Sequence, residues 1–481
     1  MLNSSRRYDA IVIGAGLEGL LCAALLSKRG KGVVVLEESA TAGGVPHRVV
    51  RNGYTFLRGP DLFLGFERDG LYDRIFSELG LSLAILKREA LLFHKTHPPL
   101  QIILPDHRLD YFTDTSELLN ELKREFPDQI QELRSFWMEM ESLEAVIRPR
   151  MHQAQRARPA TVRDWMTEIR GRFRYWSTVR TQQGSLAKEF LSRHRIDPKI
   201  QRGLELLLLI FIGKNMDEAT ALDLVHLLGL VQREMIAISG GIPTLAGMLE
   251  KVILDNQGEV IYGRPAAELL LRKRRLDGVR LEDGEAIHAS SILLNLPWHP
   301  DEERNSERRE FSLYYGIAEN MLPTPMKNHV LFMPSYIEPS LNDNFLYLRL
   351  NSPGDAWAAP QGRRSLQVTG FLPESDRPRR EATQALIKSV TEHLLWLIPF
   401  ADGALTYLGD DLGETETAAR IPLKLAEQVQ ITRRVDRDGA RYYRSSLKNL
   451  YLMPDLGRRP VASQESPRTA LELADLLSGN A

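Results

Sequence analysis

The chain has 481 residues, too many for a single hydrophobic core, so two or more domains are expected. Hydrophobic residues make up 43% and charged residues 26%, with a formal net charge of −1, an ordinary globular balance that offers no overall basic field for nucleic acid. A lone cysteine, Cys22, excludes an intramolecular disulfide and fits a reduced, cytoplasmic setting.

The first apolar run, Tyr8 to Ile13, reads as a strand; because it begins the apolar stretch itself, no signal peptide is expected before it. It leads into Gly14-Ala15-Gly16-Leu17-Glu18-Gly19, and a helix is expected from Leu20 to Lys28, with Cys22 as a small core residue inside it. A second strand, Val33 to Leu36, ends on Glu37 with Glu38 beside it. Strand, glycines, helix, strand and acid in this order form the pattern that binds the ADP half of a dinucleotide. Gly14 allows the tight turn, Gly16 lets backbone approach a pyrophosphate, and Gly19 brings the helix close to the sheet. The helix start offers unpaired N–H groups and the positive end of a dipole to the phosphates. Glu37 is placed to accept hydrogen bonds from ribose hydroxyls.

A simple nicotinamide domain would continue into another helix and strand. This chain instead has Gly43-Gly44-Val45, then Gly53-Tyr-Thr-Phe56 and Gly59-Pro60. A glycine pair suits a loop passing close to a ligand, where a Cβ would clash. A flavin laid across the domain would need such a second contact.

Between 61 and 145, short strands alternate with amphipathic helices. Leu91–Phe93 and Gln101–Leu104 flank Pro98-Pro99 and read as a hairpin, while helices are expected after Ser116 and after Pro127. His94 and His97 lie beside that turn with no cysteine near, and no metal site is expected. From Arg148 to Arg202 the composition shifts to fourteen Lys or Arg against four Asp or Glu, interleaved with Trp165, Phe173, Tyr175 and Trp176. That mixture suits a surface resting on anionic lipid, and equally a solvated helical arm with its aromatics turned inward. Leu206–Ile212 is seven apolar residues long. Crossing a bilayer takes about twenty, so a buried core helix or the wall of an apolar cavity is expected.

Gly240-Gly241-Ile242-Pro243 opens a helix from Thr244 to Leu254. Strands follow at 258–261 and 266–271, with hairpin turns expected at Asp277-Gly278 and Asp283-Gly284, and a further apolar strand at Ser291–Leu294 leads to Asn295. Four more strands are expected at 311–315, 330–332, 345–350 and 366–371, then a helix over 381–398 with Leu386, Val390 and Leu394 on one stripe. Asn449–Met453 reads as a strand returning to the first sheet, which puts Asp455 at its carboxyl end, where ligands of such sheets lie. Ser466 before Pro467 reads as the N-cap of a helix over 468–477.

These residues resemble the flavoprotein oxidoreductases that include bacterial phytoene desaturases, carotenoid isomerases and retinol saturases, and more distantly the flavin amine oxidases. The resemblance rests on the GxGxxG strand and acid, on Gly43-Gly44, and on Gly53-Tyr-Thr-Phe-Leu-Arg-Gly59-Pro60. It extends through Gly240-Gly-Ile-Pro with the meander after it, and Asp355-Ala-Trp-Ala-Ala-Pro-Gln-Gly362. It implies an α/β fold class: a Rossmann-like FAD-binding domain of the amine-oxidase-like (GR2) type with an interleaved α+β substrate domain. The FAD-binding segments would be 1–75, 236–300 and 431–481, and the substrate segments 76–235 and 301–430. It further implies that backbone at Ala266-Ala267 contacts the adenine, that Asp455 bonds the ribityl chain, and that the helix after Ser466 faces the flavin ring.

The chain departs from that pattern at Val45, where the family has a basic residue that Arg48 or Arg58 would have to replace. It departs again at 457–462, where the family has several glycines. A second GxGxxG is absent, so no stable nicotinamide site is expected, and oxygen or a membrane quinone is the simpler oxidant. The resemblance implies a desaturase or isomerase of an apolar polyene or isoprenoid that passes hydride to flavin N5, working in the cytoplasm or at the inner face of a membrane contacted through 148–202. No catalytic residue is singled out; Arg441, Tyr442, Tyr443 and Arg444 are either near the flavin or a solvated turn. Two alternatives remain open: a flavin oxidase of a smaller amine or alcohol, and a non-catalytic prenyl- or lipid-binding protein of the Rab GDP dissociation inhibitor type.

Overall fold

The computed structural model describes residues 7–479 apart from 44–47, 60, 89–92, 152–161, 183, 273–274, 297–307, 374–379, 413–430, 436–440, 446, 455–460 and 463–464. Strand β1 (Arg7–Ile13), helix α1 (Leu17–Lys28) and strand β2 (Val33–Glu37) open the fold. Every residue of β2 is buried, as expected of a parallel strand covered on both faces.

Three distant stretches of chain build the first sheet. Its order is Glu259–Tyr262, β2, β1, Ala286–Leu296, Leu450–Pro454, Arg441–Ser445 and Ile431–Val435, with the first five strands parallel. Ile13 pairs with Leu36 on one side and Leu294 on the other, and Leu294 pairs with Leu452. Helices Gly241–Asp255 and Glu465–Ser478 join α1 in one apolar cluster on this sheet.

A second sheet holds seven strands in the order Leu405–Asp410, Arg308–Ala318, Arg363–Pro373, Leu346–Leu350, His329–Phe332, Leu100–Ile103 and Arg108–Tyr111. Leu386, Val390 and Leu394 of helix Arg380–Leu397 cover one face, because the apolar stripe of that helix meets Leu313, Leu348 and Val368. Helices drawn from 115–233 cover part of the other face. Leu206 to Phe211 are fully buried in that cluster, within helix Pro198–Ile212, and pack as core. Among the described residues no helix is long and apolar enough to cross a membrane.

Two expected turns are corrected. Phe93–His94 pairs with Met235–Ile238, whereas Leu100–Ile103 pairs with Arg108–Tyr111 and His329–Phe332, so Pro98-Pro99 links two sheets and closes no hairpin. The physical reason is that different cores claim the two strands: Phe93 packs on Phe66 beside α1, while Leu100 and Ile102 pack under the helical region. Asp277 and Gly278 lie inside strand Arg275–Leu281 and are not a turn. A Cβ on Gly278 would come within 2.1 Å of the Ile287 carbonyl oxygen, so this glycine serves the close approach of a neighbouring strand. Gly284 does turn, at φ +90°.

The two bodies are fastened through Arg349. Its guanidinium donates to the carbonyls of Leu57 and Gly59, to the Asp61 carboxylate and to Gln367, and the side chain is only 9% exposed. Removing one partner of a buried ion pair leaves the other charge uncompensated. Arg349→Met is therefore expected to destabilise the protein by about 3–5 kcal/mol. Urea unfolding that shows no loss would mean the junction is held elsewhere.

Candidate dinucleotide site

The carboxyl ends of the parallel strands converge on the turn after β1. Gly14 leaves the strand at φ +96°, and a Cβ there would lie 2.0 Å from the carbonyl oxygen of Asn295. A Cβ on Gly16 would meet Asn295 Oδ1 at 2.5 Å, and one on Gly19 would meet the same oxygen at 2.8 Å. The Gly19 N–H donates to that oxygen at 3.1 Å. Asn295 is itself buried at the end of its strand, and its Nδ2 has no hydrogen-bond partner among the described residues.

Glu37 closes the other side. It is buried, with one carboxylate oxygen accepting the Ala15 N–H at 2.6 Å and the other the Ser39 N–H at 2.8 Å. Glu37 is thus a brace for the glycine turn as well as an acid at the carboxyl end of β2. The Gly43 N–H donates to the Ala15 carbonyl at 2.8 Å, with Gly43 at φ +107°, so the second glycine motif folds back on the first. The Gly263 N–H donates to the Ser39 carbonyl, which brings Ala266 and Ala267 to the same end of the sheet.

The structure therefore gathers Gly14, Ala15, Gly16, Leu17, Gly19, Glu37, Gly43, Ala266, Ala267 and Asn295. Glu38 faces solvent, and Gly59 sits at the Arg349 junction. Arg48 lies over the Trp357 ring, and Arg58 donates to the Tyr314 hydroxyl, so both meet the second sheet's side of the molecule. Gly44, Val45, Pro60 and Asp455 lie outside the described residues. The last helix starts at Glu465, so Ser466 lies within its first turn and does not precede it. Arg441 to Arg444 belong to a strand that pairs with Ile431–Val435 and Leu450–Pro454, not to a turn.

Electrostatically the turn suits an anion. The N-cap of α1, Gly16, offers no side-chain cap to the helix amides. Beside it lies the orphaned donor of Asn295, 3.7 Å from where a Gly16 Cβ would stand. The start of α1, where the N-cap has no side chain and Asn295 takes the Gly19 amide, a spare buried donor and an acid at the end of β2 fit the phosphates and ribose of an adenine dinucleotide. Glu18, in the first turn of α1, is fully buried. Burial pushes the Cys22 thiol up to about 12, so it is core and not a nucleophile.

A buried polar row on the second sheet escaped the sequence reading. His329 Nδ1 lies 2.7 Å from the Tyr347 hydroxyl, and burial keeps the imidazole below its ordinary pKa and the phenol well above its own. Gln367 donates to Ser312, Ser312 meets Thr369, and Arg349 with Asp61 completes the row. The available signal was alternation: polar residues at every second position in otherwise apolar strands, as in Tyr347–Leu348–Arg349.

Residues 12–79 match the model of the NAD(P)-binding Rossmann-like domain. Prolycopene isomerase of carrot, Daucus carota, is 22% identical over 405 residues, covering 76% of this chain and 62% of that protein. Hydroxyneurosporene desaturase of Rubrivivax gelatinosus is 26% identical over 401 residues, covering 78% and 72%. Over three quarters of its length the chain is similar to carotenoid desaturases and isomerases. Among solved structures, an oxidoreductase from Methanosarcina mazei superposes over 97% of this chain and 99% of its own at TM-score 0.60 and 15% identity. Rab GDI from Plasmodium falciparum superposes over 98% of both chains at TM-score 0.56 and 12% identity. The chain therefore shares one fold with an oxidoreductase and with a Rab GDI.

Glu37→Ala should cost about 3 kcal/mol, since a buried and a half-buried amide lose a charged acceptor. It should also weaken adenine-nucleotide binding. Calorimetric titration with ADP and a denaturant curve check both; unchanged values would show that the brace is dispensable.

Proposed function

We propose that the chain is an FAD-dependent oxidoreductase that desaturates or isomerises an apolar polyene or isoprenoid. One observation carries the reading: the glycine turn, Asn295 and Glu37 form a dinucleotide cradle in a chain whose relatives over three quarters of its length are named for carotenoid chemistry. A bound flavin would supply the hydride acceptor, and the protein supplies shape, orientation and charge. Glu37 and backbone at Ala266 would hold the adenosine, and the start of α1 would receive the pyrophosphate.

The membrane supplies such a substrate in this reading. Helix Val162–Gln182 turns Tyr175 inward, and exposes Met166, Phe173 and Trp176 on one face with Arg170 and Arg180 among them. Apolar side chains flanked by arginine suit the boundary of an anionic bilayer. A second reading, a lipid-binding protein without a flavin, draws support from the fold shared with a Rab GDI.

Protein purified from cells grown with ample riboflavin should show the visible flavin spectrum, or gain it on incubation with FAD. Colourless protein that takes up no FAD would remove the oxidoreductase reading and leave the lipid binder. Replacing Met166, Phe173 and Trp176 together with Ser should sharply reduce sedimentation with phosphatidylserine-containing vesicles, with the flavin content unaltered. Equal sedimentation would remove the membrane contact.

A further inference from the structure

We propose that Asn295 is the residue that makes the cradle selective for a diphosphate, its Oδ1 holding the start of α1 while its Nδ2 donates to a phosphate oxygen. The inference rests on the flavoprotein reading and deepens it. An N–H group can only donate, so the side-chain atom that receives the Gly19 amide at 3.1 Å has to be the oxygen of Asn295. That bond fixes which way the carboxamide lies, and its other half is an NH2 group with two hydrogens to give. Asn295 is only 3% exposed, and its Nδ2 has no hydrogen-bond partner among the described residues. A donor buried without an acceptor costs free energy that an incoming acceptor recovers.

Position separates a ligand contact from an idle donor. The Tyr72 hydroxyl is also buried without a partner among the described residues, but its ring stacks on Phe66 at 4.0 Å and meets Phe76 edge-on inside an apolar cluster. Asn295 instead follows Leu294, the partner of Ile13, and so stands level with Gly14 at the carboxyl ends of the parallel strands. A Cβ on Gly16 would lie 2.5 Å from Oδ1 and 3.7 Å from Nδ2, so the whole carboxamide rests against the glycine that admits a pyrophosphate. A phosphate received at the start of α1 stands beside that glycine. A hydrogen bond to it from Nδ2 would be of the stronger, charge-assisted kind. Glu37 acts on the other side of the turn, through the Ala15 amide, and serves the ribose. The two residues thus divide the ligand, and loss of the Asn295 donor should be felt by phosphates and not by adenosine.

Calorimetric titrations of the full-length protein with adenosine, ADP and FAD test this in wild type, Asn295→Asp and Asn295→Ala. Asp removes the donor but keeps an acceptor for Gly19, and it stays ionised there because the amide and the helix start favour the charged form. Ala removes both. The ratio of ADP to adenosine affinity should fall about tenfold or more in each variant, and FAD affinity should fall with it. An unchanged ratio in Asn295→Asp would leave Asn295 as a cap for α1 only, and an unchanged ratio in Asn295→Ala would make the donor dispensable. Either result overturns the proposal and, where wild type binds FAD, leaves the flavoprotein reading intact. Wild type that binds none of the three ligands, with cooperative unfolding preserved, overturns both. Should the variants not fold, a crystal structure of wild type with ADP decides: a phosphate oxygen within about 3.2 Å of Nδ2 supports the proposal, and an Nδ2 bonded elsewhere or to nothing refutes it.

Discussion

The hydrogen bond from the Gly19 amide to the Asn295 side chain joins residues 276 positions apart, and the arrangement of the first sheet depends on it. It fixes how close α1 comes to the end of the strand Ala286–Leu296. At that separation no side chain fits at 14, 16 or 19, so three glycines are required by one contact. The same approach leaves the amides at the start of α1 facing outward from the strand ends, where a ligand of a parallel sheet lies. Glu37 then holds the intervening Ala15 from the opposite side.

Interleaving follows from this geometry. A sheet assembled from 7–37, 259–296 and 431–454 obliges the chain to leave and return twice, and each excursion adds strands to the second sheet. The two bodies share loop 54–61: Phe56 packs on Tyr314 at 4.8 Å between ring centres, and Leu57, Gly59 and Asp61 all receive Arg349. Burying a guanidinium is costly unless its donors are satisfied, and here carbonyls, a carboxylate and an amide oxygen meet it. The junction is consequently polar and directional, which sets one orientation between the sheets where an apolar contact would permit several.

Several features of the turn favour a dinucleotide: the start of α1, whose N-cap has no side chain, the orphaned Asn295 donor and the brace from Glu37. Chains that share this fold include oxidoreductases and a Rab GDI, so the architecture alone does not separate catalysis from lipid handling.

Local chemistry made much of this legible in the sequence. Apolar runs of β-branched residues gave β1 and β2, a 3.6-residue stripe gave the helix over 380–397, and glycine spacing gave the dinucleotide turn, because each depends on neighbours within a few residues. Asn295 was placed at the right strand end, yet its contact with Gly19 comes from three-dimensional folding. Pro98-Pro99 and Asp277-Gly278 misled because turn residues describe backbone permissiveness, while the choice of partner strand belongs to whichever core buries the apolar face. The row of His329, Tyr347, Arg349 and Gln367 stayed hidden because its members come from separate strands and meet only through register. Glu18 looked like one more residue of a motif. Only packing against the facing helix buried it, since burial depends on everything that surrounds a side chain and the sequence names only what precedes and follows it.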